Sequence, residues 1–208
     1  MIRLVEHRDL PQIAEVHKTC FPESYSSQLS RYPWFVSGLQ EKFFEEYLND
    51  CPELFFAAEA DGKIVGYCMG YYLDKGDQMS NFVKKNRWRL FLKTAFLMLL
   101  GNVPTWKKVL SRFQKSSKDE ILNKDYEHIL NHERGDLLSI CILPEYRGAG
   151  VSAELMKVFL CEMKEQGKKI CLLSVLKENK RAISYYEKNG FFLYRQRGEI
   201  GCTYMKLL

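Results

Sequence analysis

One stretch of the chain, Ser139–Leu155 (SICILPEYRGAGVSAEL), joins an apolar run, a glycine loop and a helix-like segment. The apolar run ends at Pro144, and the basic loop Arg147-Gly148-Ala149-Gly150 follows. Glycine lets a backbone turn through positive φ and approach a ligand closely. A helix that begins directly after such a loop offers unpaired N–H groups to an anion, and Arg147 adds charged donors. The stretch therefore predicts a phosphate-bearing ligand at the end of a strand.

Several kinds of loop share this composition. A phosphate-binding loop of nucleotide hydrolases is excluded, because no Gly-Lys-Ser/Thr follows the glycines. A dinucleotide fingerprint fits formally at Gly148, Gly150 and Ala153, with Glu178 as a ribose acceptor. The chain after the next strand has room for only one more helix, which is too little for the remaining βα units. A plain glycine turn that caps a helix is the simplest alternative.

A second motif lies about thirty residues further on, at 179–191 (NKRAISYYEKNGF). Asn179 is a good residue to begin a helix, and Gly190 suits the left-handed conformation that ends one. Ala182 and Tyr186 are four residues apart and share a helix face.

The two motifs together resemble the GNAT superfamily of acyl-CoA-dependent N-acyltransferases. Arg147 and Gly150 match the Arg/Gln-x-x-Gly-x-Gly/Ala loop of that family, with Ser152 in place of the last Gly or Ala. The second motif matches the family's Asn-x-x-Ala-x-x-x-Tyr-x-x-x-Gly-Phe segment at Asn179, Ala182, Tyr186, Gly190 and Phe191. Two independent matches at the family's usual separation are far more specific than either alone.

The resemblance implies a coenzyme A site and acetyl-CoA as cosubstrate, without a metal. The backbone of Cys141, Ile142 and Leu143 is expected to run beside the pantetheine arm. Arg147 and the amides of the loop are expected to hold the pyrophosphate. The full set expected to bind the cofactor is Cys141, Ile142, Leu143, Arg147, Gly148, Ala149, Gly150, Val151, Ser152, Asn179 and Tyr186.

The resemblance also implies catalytic roles. Tyr186 would protonate the departing thiolate; otherwise it is a helix tyrosine buried against the sheet. Asp136 occupies the position of a Glu that serves as base in parts of the family, and its alternative is a solvated carboxylate at a strand end. Other members carry a Glu where this chain has Ser174, which cannot accept the proton. The fallback candidates for the base are His128, His132 and Glu133.

Composition is compatible with this interpretation. The 208 residues are 46% hydrophobic and 27% charged, and the net charge is +5 without a run of five or six basic residues, which argues against nucleic acid. Seven cysteines form no C-x-x-C pair, so we expect reduced thiols and a cytoplasmic protein. The N-terminus lacks the long apolar stretch of a signal peptide.

The order of elements predicts an α+β fold of the three-layer α/β type, with a mixed central sheet of about six to seven strands flanked by helices. Residues 54–60 and 63–73 form a hairpin around Asp61-Gly62. Residues 137–143, 149–166 and 170–176 form a βαβ unit. Residues 191–197 and 202–208 supply a closing pair of strands. We expect a single domain over 1–208.

Residues at about 75–134 are expected to be a helical insertion, because GNAT proteins normally join the flanking strands with a much shorter segment. Its apolar part is too short to span a bilayer. A helix packed on the core, a substrate lid, a homodimer contact and a helix lying on a membrane surface stay open for it.

The expected function is transfer of an acetyl group from acetyl-CoA to a primary amine by direct attack. A non-catalytic acyl-CoA sensor on the same fold is the alternative, and an interaction protein that recruits a partner through the insertion is another. The acceptor stays open among small amines, aminosugars, amino acids, and the N-termini or lysines of proteins.

Overall fold

The computed structural model of the chain describes residues 1–22, 38–75, 78–101, 120–121, 133–198 and 200–208. The strands in these ranges are β1 (Ile2–Leu4), β2 (Phe55–Ala60), β3 (Lys63–Tyr72), β4 (Glu120–Ile121), β5 (Arg134–Ile142), β6 (Ile170–Leu176), β7 (Phe192–Arg197) and β8 (Gly201–Leu207). The α-helices in the same ranges are α1 (Leu10–Cys20), α2 (Leu39–Asp50), α3 (Gln78–Lys85), α4 (Arg87–Leu99), α5 (Val151–Glu165) and α6 (Lys180–Lys188).

The strands form one mixed sheet in the order β1-β2-β3-β5-β6-β8-β7-β4. β5 and β6 are parallel, and the other neighbouring pairs are antiparallel. Seven strands make up the body of the sheet, and β4 adds two residues at the edge beside β7. The predicted α+β fold with a mixed sheet is confirmed.

The hairpin of β2 and β3 turns at Asp61 and Gly62, which have φ of 51° and 73°. A two-residue turn with positive φ at both positions matches the right-handed twist of the strands, and Asp-Gly tolerates it well. The local sequence therefore determines the register next to the turn, where Ala60 pairs with Lys63 and Glu59 with Ile64. A bulge between Ala58 and Glu59 then shifts the pairing by one residue.

Helices cover both faces of the sheet. On one face, Ile13 of α1 and Phe44 of α2 are buried against Tyr67 of β3. On the other face, Phe159 and Met163 of α5 are fully buried in the cluster that β5 and β6 share. α5 is the crossover that joins the parallel strands β5 and β6. Parallel strands are apolar because helices cover both of their faces, as they do here.

The predicted insertion is described in part. α3 packs on α2, where the rings of Phe82 and Phe43 lie 5.6 Å apart and Lys85 pairs with Glu46 at 2.6 Å. α4 buries Leu97 but leaves several large apolar side chains exposed, namely Trp88, Phe91, Leu92 and Leu99. Among the residues described, no helix is both long and apolar enough to cross a membrane. The single domain with an insertion at about 75–134 stays a prediction.

Candidate active site

The parallel strands β5 and β6 separate partway along their length. Their pairing runs from Arg134–Ile170 to Leu137–Leu173. Beyond that point β5 continues beside β3, whereas β6 continues beside β8. The β3–β5 register shifts at Leu138, as in a β-bulge, and a bulge bends the strand that carries it. The result is a wedge-shaped opening between 138–142 and 174–176, called the β5–β6 gap below.

The glycine loop lies at the open end of this gap. Gly148 and Gly150 have φ of 86° and 81°, and α5 begins at Val151 directly after them. A Cβ added at either glycine would meet no other atom within 4 Å, so both positions border open space. The first turn of α5 therefore presents its N–H groups toward space that a ligand can occupy.

Arg147 is held beside the loop by a backbone contact. Its Nε donates to the carbonyl oxygen of Ile142 at 3.0 Å, which fixes the exposed guanidinium at the end of β5. A cation at this point and the positive end of the α5 dipole both favour an anionic group.

A cleft of about 390 Å³ joins the gap to the loop. β5, the glycine loop, α6 and the end of α1 all contribute to its wall. Its lining residues are Cys20, Phe21, Ile140, Cys141, Ile142, Tyr146, Arg147, Gly148, Ser152, Asn179, Arg181, Ala182, Tyr185 and Tyr186.

Most of the residues expected to bind the cofactor lie together in this wall. Those that line the cleft are Cys141, Ile142, Arg147, Gly148, Ser152, Asn179 and Tyr186. Leu143, Ala149, Gly150 and Val151 lie between them on the same loop and first turn of α5. Sequence reasoning missed Cys20 and Phe21, because they reach the cleft through packing of α1 more than a hundred residues away. Their roles in binding stay predictions.

Tyr186 is positioned by the predicted features of α6. Asn179 begins the helix, and its Oδ1 accepts from the Ala182 amide at 3.1 Å. Gly190 follows the helix with φ of 81°. The Tyr186 ring contacts Phe191 at 5.9 Å, and burial raises the pKa of its phenol. The phenol is therefore protonated at neutral pH and can serve as a proton donor.

Asp136 lies on the face of the sheet that α1 and α2 cover. Its carboxylate accepts from Arg134 through Nε at 2.7 Å and Nη2 at 2.9 Å, and from the Tyr71 hydroxyl at 2.9 Å. The Tyr71 ring in turn contacts Tyr47 of α2 at 5.9 Å. Asp136 precedes the cleft-lining part of β5 by four residues, so its role as base stays a prediction.

The other candidates for the base are distributed as follows. Glu133 is paired with Lys169 at 2.8 Å near the start of β5. His128 and His132 lie outside the described residues. Ser174 accepts from Arg197 at 3.2 Å, in the position where other family members carry a Glu.

A hydrogen-bonded chain that the sequence did not predict connects α1 to β5. His17 Nδ1 lies 2.6 Å from the Tyr67 hydroxyl, which lies 2.9 Å from Ser139 Oγ. Burial lowers the pKa of His17 to about 4, so the imidazole is neutral at pH 7. These hydrogen bonds connect α1, which ends at Cys20, to β5, which borders the cleft.

Comparison with known proteins agrees with this geometry. The family described as "Acetyltransferase (GNAT) family" matches residues 10–92 and 121–191. The chain belongs to this family of acetyltransferases, which use acetyl-CoA as cosubstrate.

Individual relatives show the same class. An N-alpha-acetyltransferase of Sulfurisphaera tokodaii is 25% identical over 191 residues, which are 91% of this chain and 78% of that protein. N-alpha-acetyltransferase 30 of Schizosaccharomyces pombe is 35% identical over 63 residues, which are 30% of this chain and 42% of that protein. The crystal structure of PaiA N-acetyltransferase from Thermoplasma acidophilum with coenzyme A has a TM-score of 0.58 at 17% identity, covering 100% of this chain and 98% of that one. At 17% identity, the similarity to the PaiA structure shows the fold alone.

Proposed function

We propose that the protein transfers the acetyl group of acetyl-CoA to the N-terminal α-amine of a polypeptide, by direct attack of the amine on the thioester. One observation carries the proposal: the β5–β6 gap opens onto the glycine loop. A single extended cofactor can then place its pyrophosphate at the loop and its thioester between the strands. The free cysteines favour a cytoplasmic setting.

Cofactor binding begins at the loop. The amides of 148–152 and the N-terminus of α5 are donors for the pyrophosphate oxygens, and Arg147 adds a charge. Because neither glycine has a Cβ, the phosphates can approach the backbone closely. This step orients the cofactor but does not yet activate it.

The pantetheine arm follows the edge of β5 that faces the gap. Past Leu137, β6 no longer pairs with this edge, so peptide groups there can bond an extended ligand as a neighbouring strand would. A β5 N–H aimed at the thioester oxygen stabilises the negative charge that develops there during attack. The ring of Phe21 and the side chain of Ile140, both in the cleft wall, help to keep water away.

The transfer itself needs one proton acceptor and one proton donor. The neutral amine attacks the carbonyl carbon, a C–N bond forms, and the C–S bond to coenzyme A breaks. We assign the amine proton to Asp136, directly or through a water, with Arg134 and Tyr71 orienting the carboxylate. We assign the proton taken up by the thiolate to the Tyr186 phenol. The products are an amide and the free thiol of coenzyme A.

The choice of an α-amine rests on two supports. The relatives at 25% and 35% identity are both N-alpha-acetyltransferases. An α-amine also has an ordinary pKa of about 7.7–8.0, against about 10.4 for lysine, so far more of it is neutral at physiological pH. The carboxylate proposed as base, Asp136, already accepts hydrogen bonds from Arg134 and Tyr71. Such a site suits the α-amine better than lysine, because the α-amine has the lower pKa.

The test uses two peptides of one sequence that contains a lysine. The first has a free α-amine, and the second has its α-amine acetylated beforehand, so that only the lysine can react. We expect release of coenzyme A and a single added acetyl group with the first peptide alone, over a panel of N-terminal residues. Equal rates with both peptides would contradict the α-amine assignment. Binding of acetyl-CoA without turnover of any amine would instead indicate a sensor.

A further inference from the structure

Two of the seven cysteines line the acyl-CoA cleft. Cys20 is half-buried at the end of α1, and Cys141 is buried in β5. They are 121 positions apart in sequence, and the packing of α1 on the sheet brings them together. Neither has a part in the transfer step proposed above through its side chain, so their position in the cleft needs another explanation.

The two thiols are neighbours in the cleft wall. The Cys20 Sγ donates to the carbonyl oxygen of Ile142, the residue that follows Cys141 in β5, at 3.3 Å. The same oxygen accepts from Arg147 Nε at 3.0 Å, so the guanidinium lies close to the Cys20 sulfur. The pair therefore sits between the edge of β5 and the residue expected to hold the pyrophosphate.

This environment makes the two thiols unequal. Interaction with the Cys141 thiol and the positive charge of Arg147 lower the pKa of Cys20 to about 7, against burial and the charge of Glu145. Burial raises the pKa of Cys141. A thiolate is the reactive form toward oxidants, so Cys20 is the sulfur that reacts first and Cys141 is the neighbour that can react second.

The other five cysteines lie outside the cleft lining, and Cys202 among them is buried in β8. Burial raises the pKa of Cys51, Cys68 and Cys171, which keeps them as thiols. Cys161 is exposed on α5 and is not among the residues that line the cleft. It provides a matched control, since it is open to solvent but distant from the cofactor.

We propose that Cys20 and Cys141 form an oxidisable pair, whose disulfide closes the acyl-CoA cleft and whose reduced form leaves it open. With hydrogen peroxide as oxidant, the Cys20 thiolate attacks one oxygen and becomes a sulfenic acid, and the leaving hydroxide becomes water. The Cys141 sulfur then attacks the sulfenic sulfur, an S–S bond forms, and the hydroxyl leaves as water with the Cys141 proton. The peroxide is reduced, and two thiols are oxidised to one disulfide.

Geometry explains why the disulfide is incompatible with bound cofactor. An S–S bond is about 2.05 Å long, shorter than the separation of any two sulfurs that are not bonded, so the end of α1 must move toward β5. That movement narrows the cleft where Cys141 and its neighbours Ile140 and Ile142 form the wall. It also breaks the bond from Cys20 to the Ile142 oxygen, beside the anchor of Arg147. Bound coenzyme A in turn covers Cys20 and slows its oxidation.

The experiment treats the full chain with a small excess of peroxide, removes the excess with catalase, and measures two quantities. Intact mass is expected to fall by two hydrogens, and peptide mapping to join Cys20 to Cys141. The affinity for coenzyme A, measured by titration calorimetry, is expected to fall at least tenfold and to return with dithiothreitol. Coenzyme A added before the peroxide is expected to protect the pair.

Variants separate this effect from general oxidation. Cys161→Ser is expected to respond to peroxide as the wild type does. The coenzyme A affinity of Cys20→Ser is expected to be the same before and after the peroxide treatment, whatever its value before treatment. A mapped Cys20–Cys141 disulfide without loss of affinity, or an equal loss in Cys20→Ser, would overturn the inference. A reduced protein that binds no coenzyme A would refute the proposed function instead.

Discussion

Gly150→Ala tests whether the glycine loop binds the cofactor. Gly150 has φ of 81° at the start of α5, and a Cβ there would meet no atom within 4 Å. The cost to the free protein is therefore backbone strain alone, about 1 kcal/mol for an L-residue in the left-handed region. For a chain of this size that loss lowers Tm by about 2–4 °C.

Gly167→Ala is the matched control. Gly167 follows the opposite end of α5 with φ of 71°, and it also has no atom within 4 Å of an added Cβ. Its substitution carries the same strain but lies outside the cleft lining. The two variants should therefore lose similar stability, and any further difference between them reports on the ligand.

The difference should appear when coenzyme A is added. At a concentration of 100 times Kd, a ligand stabilises the native state by about 2.7 kcal/mol. If the new methyl group displaces the pyrophosphate enough to weaken binding tenfold, the gain at that concentration falls to about 1.4 kcal/mol. Thermal unfolding with and without coenzyme A measures both quantities. A Gly150→Ala protein whose Kd equals that of Gly167→Ala would refute the assignment of the loop.

Further substitutions test the catalytic assignments and the packing. Tyr186→Phe should lower turnover by about 10²-fold with coenzyme A binding largely kept. The control is Tyr204→Phe, which removes a hydroxyl bonded to Glu187 of α6 at 3.2 Å and should leave turnover intact. Equal rates for the two variants would show that Tyr186 has a structural role only. Asp136→Asn should lower turnover by about 10²-fold with coenzyme A binding kept, and an unchanged rate would assign the base to another group. Gly70→Ala should cost about 1–3 kcal/mol in chemical denaturation, because its Cβ would clash with the backbone oxygen of Asp136 and would fall 2.5 Å from Cζ of the buried Phe159. An unchanged midpoint would show that both β5 and α5 can shift.

Local chemistry accounts for the parts of the fold that the sequence predicted well. The positive φ at Asp61, Gly62, Gly148 and Gly150 follows from residue types that tolerate it, within a few positions of the turn. The helix α6 follows in the same way from Asn179 at one end and Gly190 at the other. Each of these features depends on neighbours in the sequence, so no tertiary knowledge was needed.

Other features depend on contacts between distant segments. The placement of Cys20 against Cys141, and the chain from His17 through Tyr67 to Ser139, arise only when α1 packs on β3 and β5. The point at which β5 leaves β6 depends on a bulge that side-chain alternation does not reveal. The ion pair of Arg134 with Asp136 was within reach of the sequence, since residues two apart on a strand share a face.

A single-turnover experiment tests direct transfer most directly. Enzyme in excess is mixed with acetyl-CoA and an acceptor peptide, quenched at successive times, and analysed by mass for free coenzyme A, acetylated peptide and acetylated enzyme. If the amine attacks the thioester in the cleft, coenzyme A and acetylated peptide appear at one rate, and the mass of the enzyme stays unchanged even when the peptide is omitted. Coenzyme A released without peptide, with an acetyl group gained by the protein, would contradict the account.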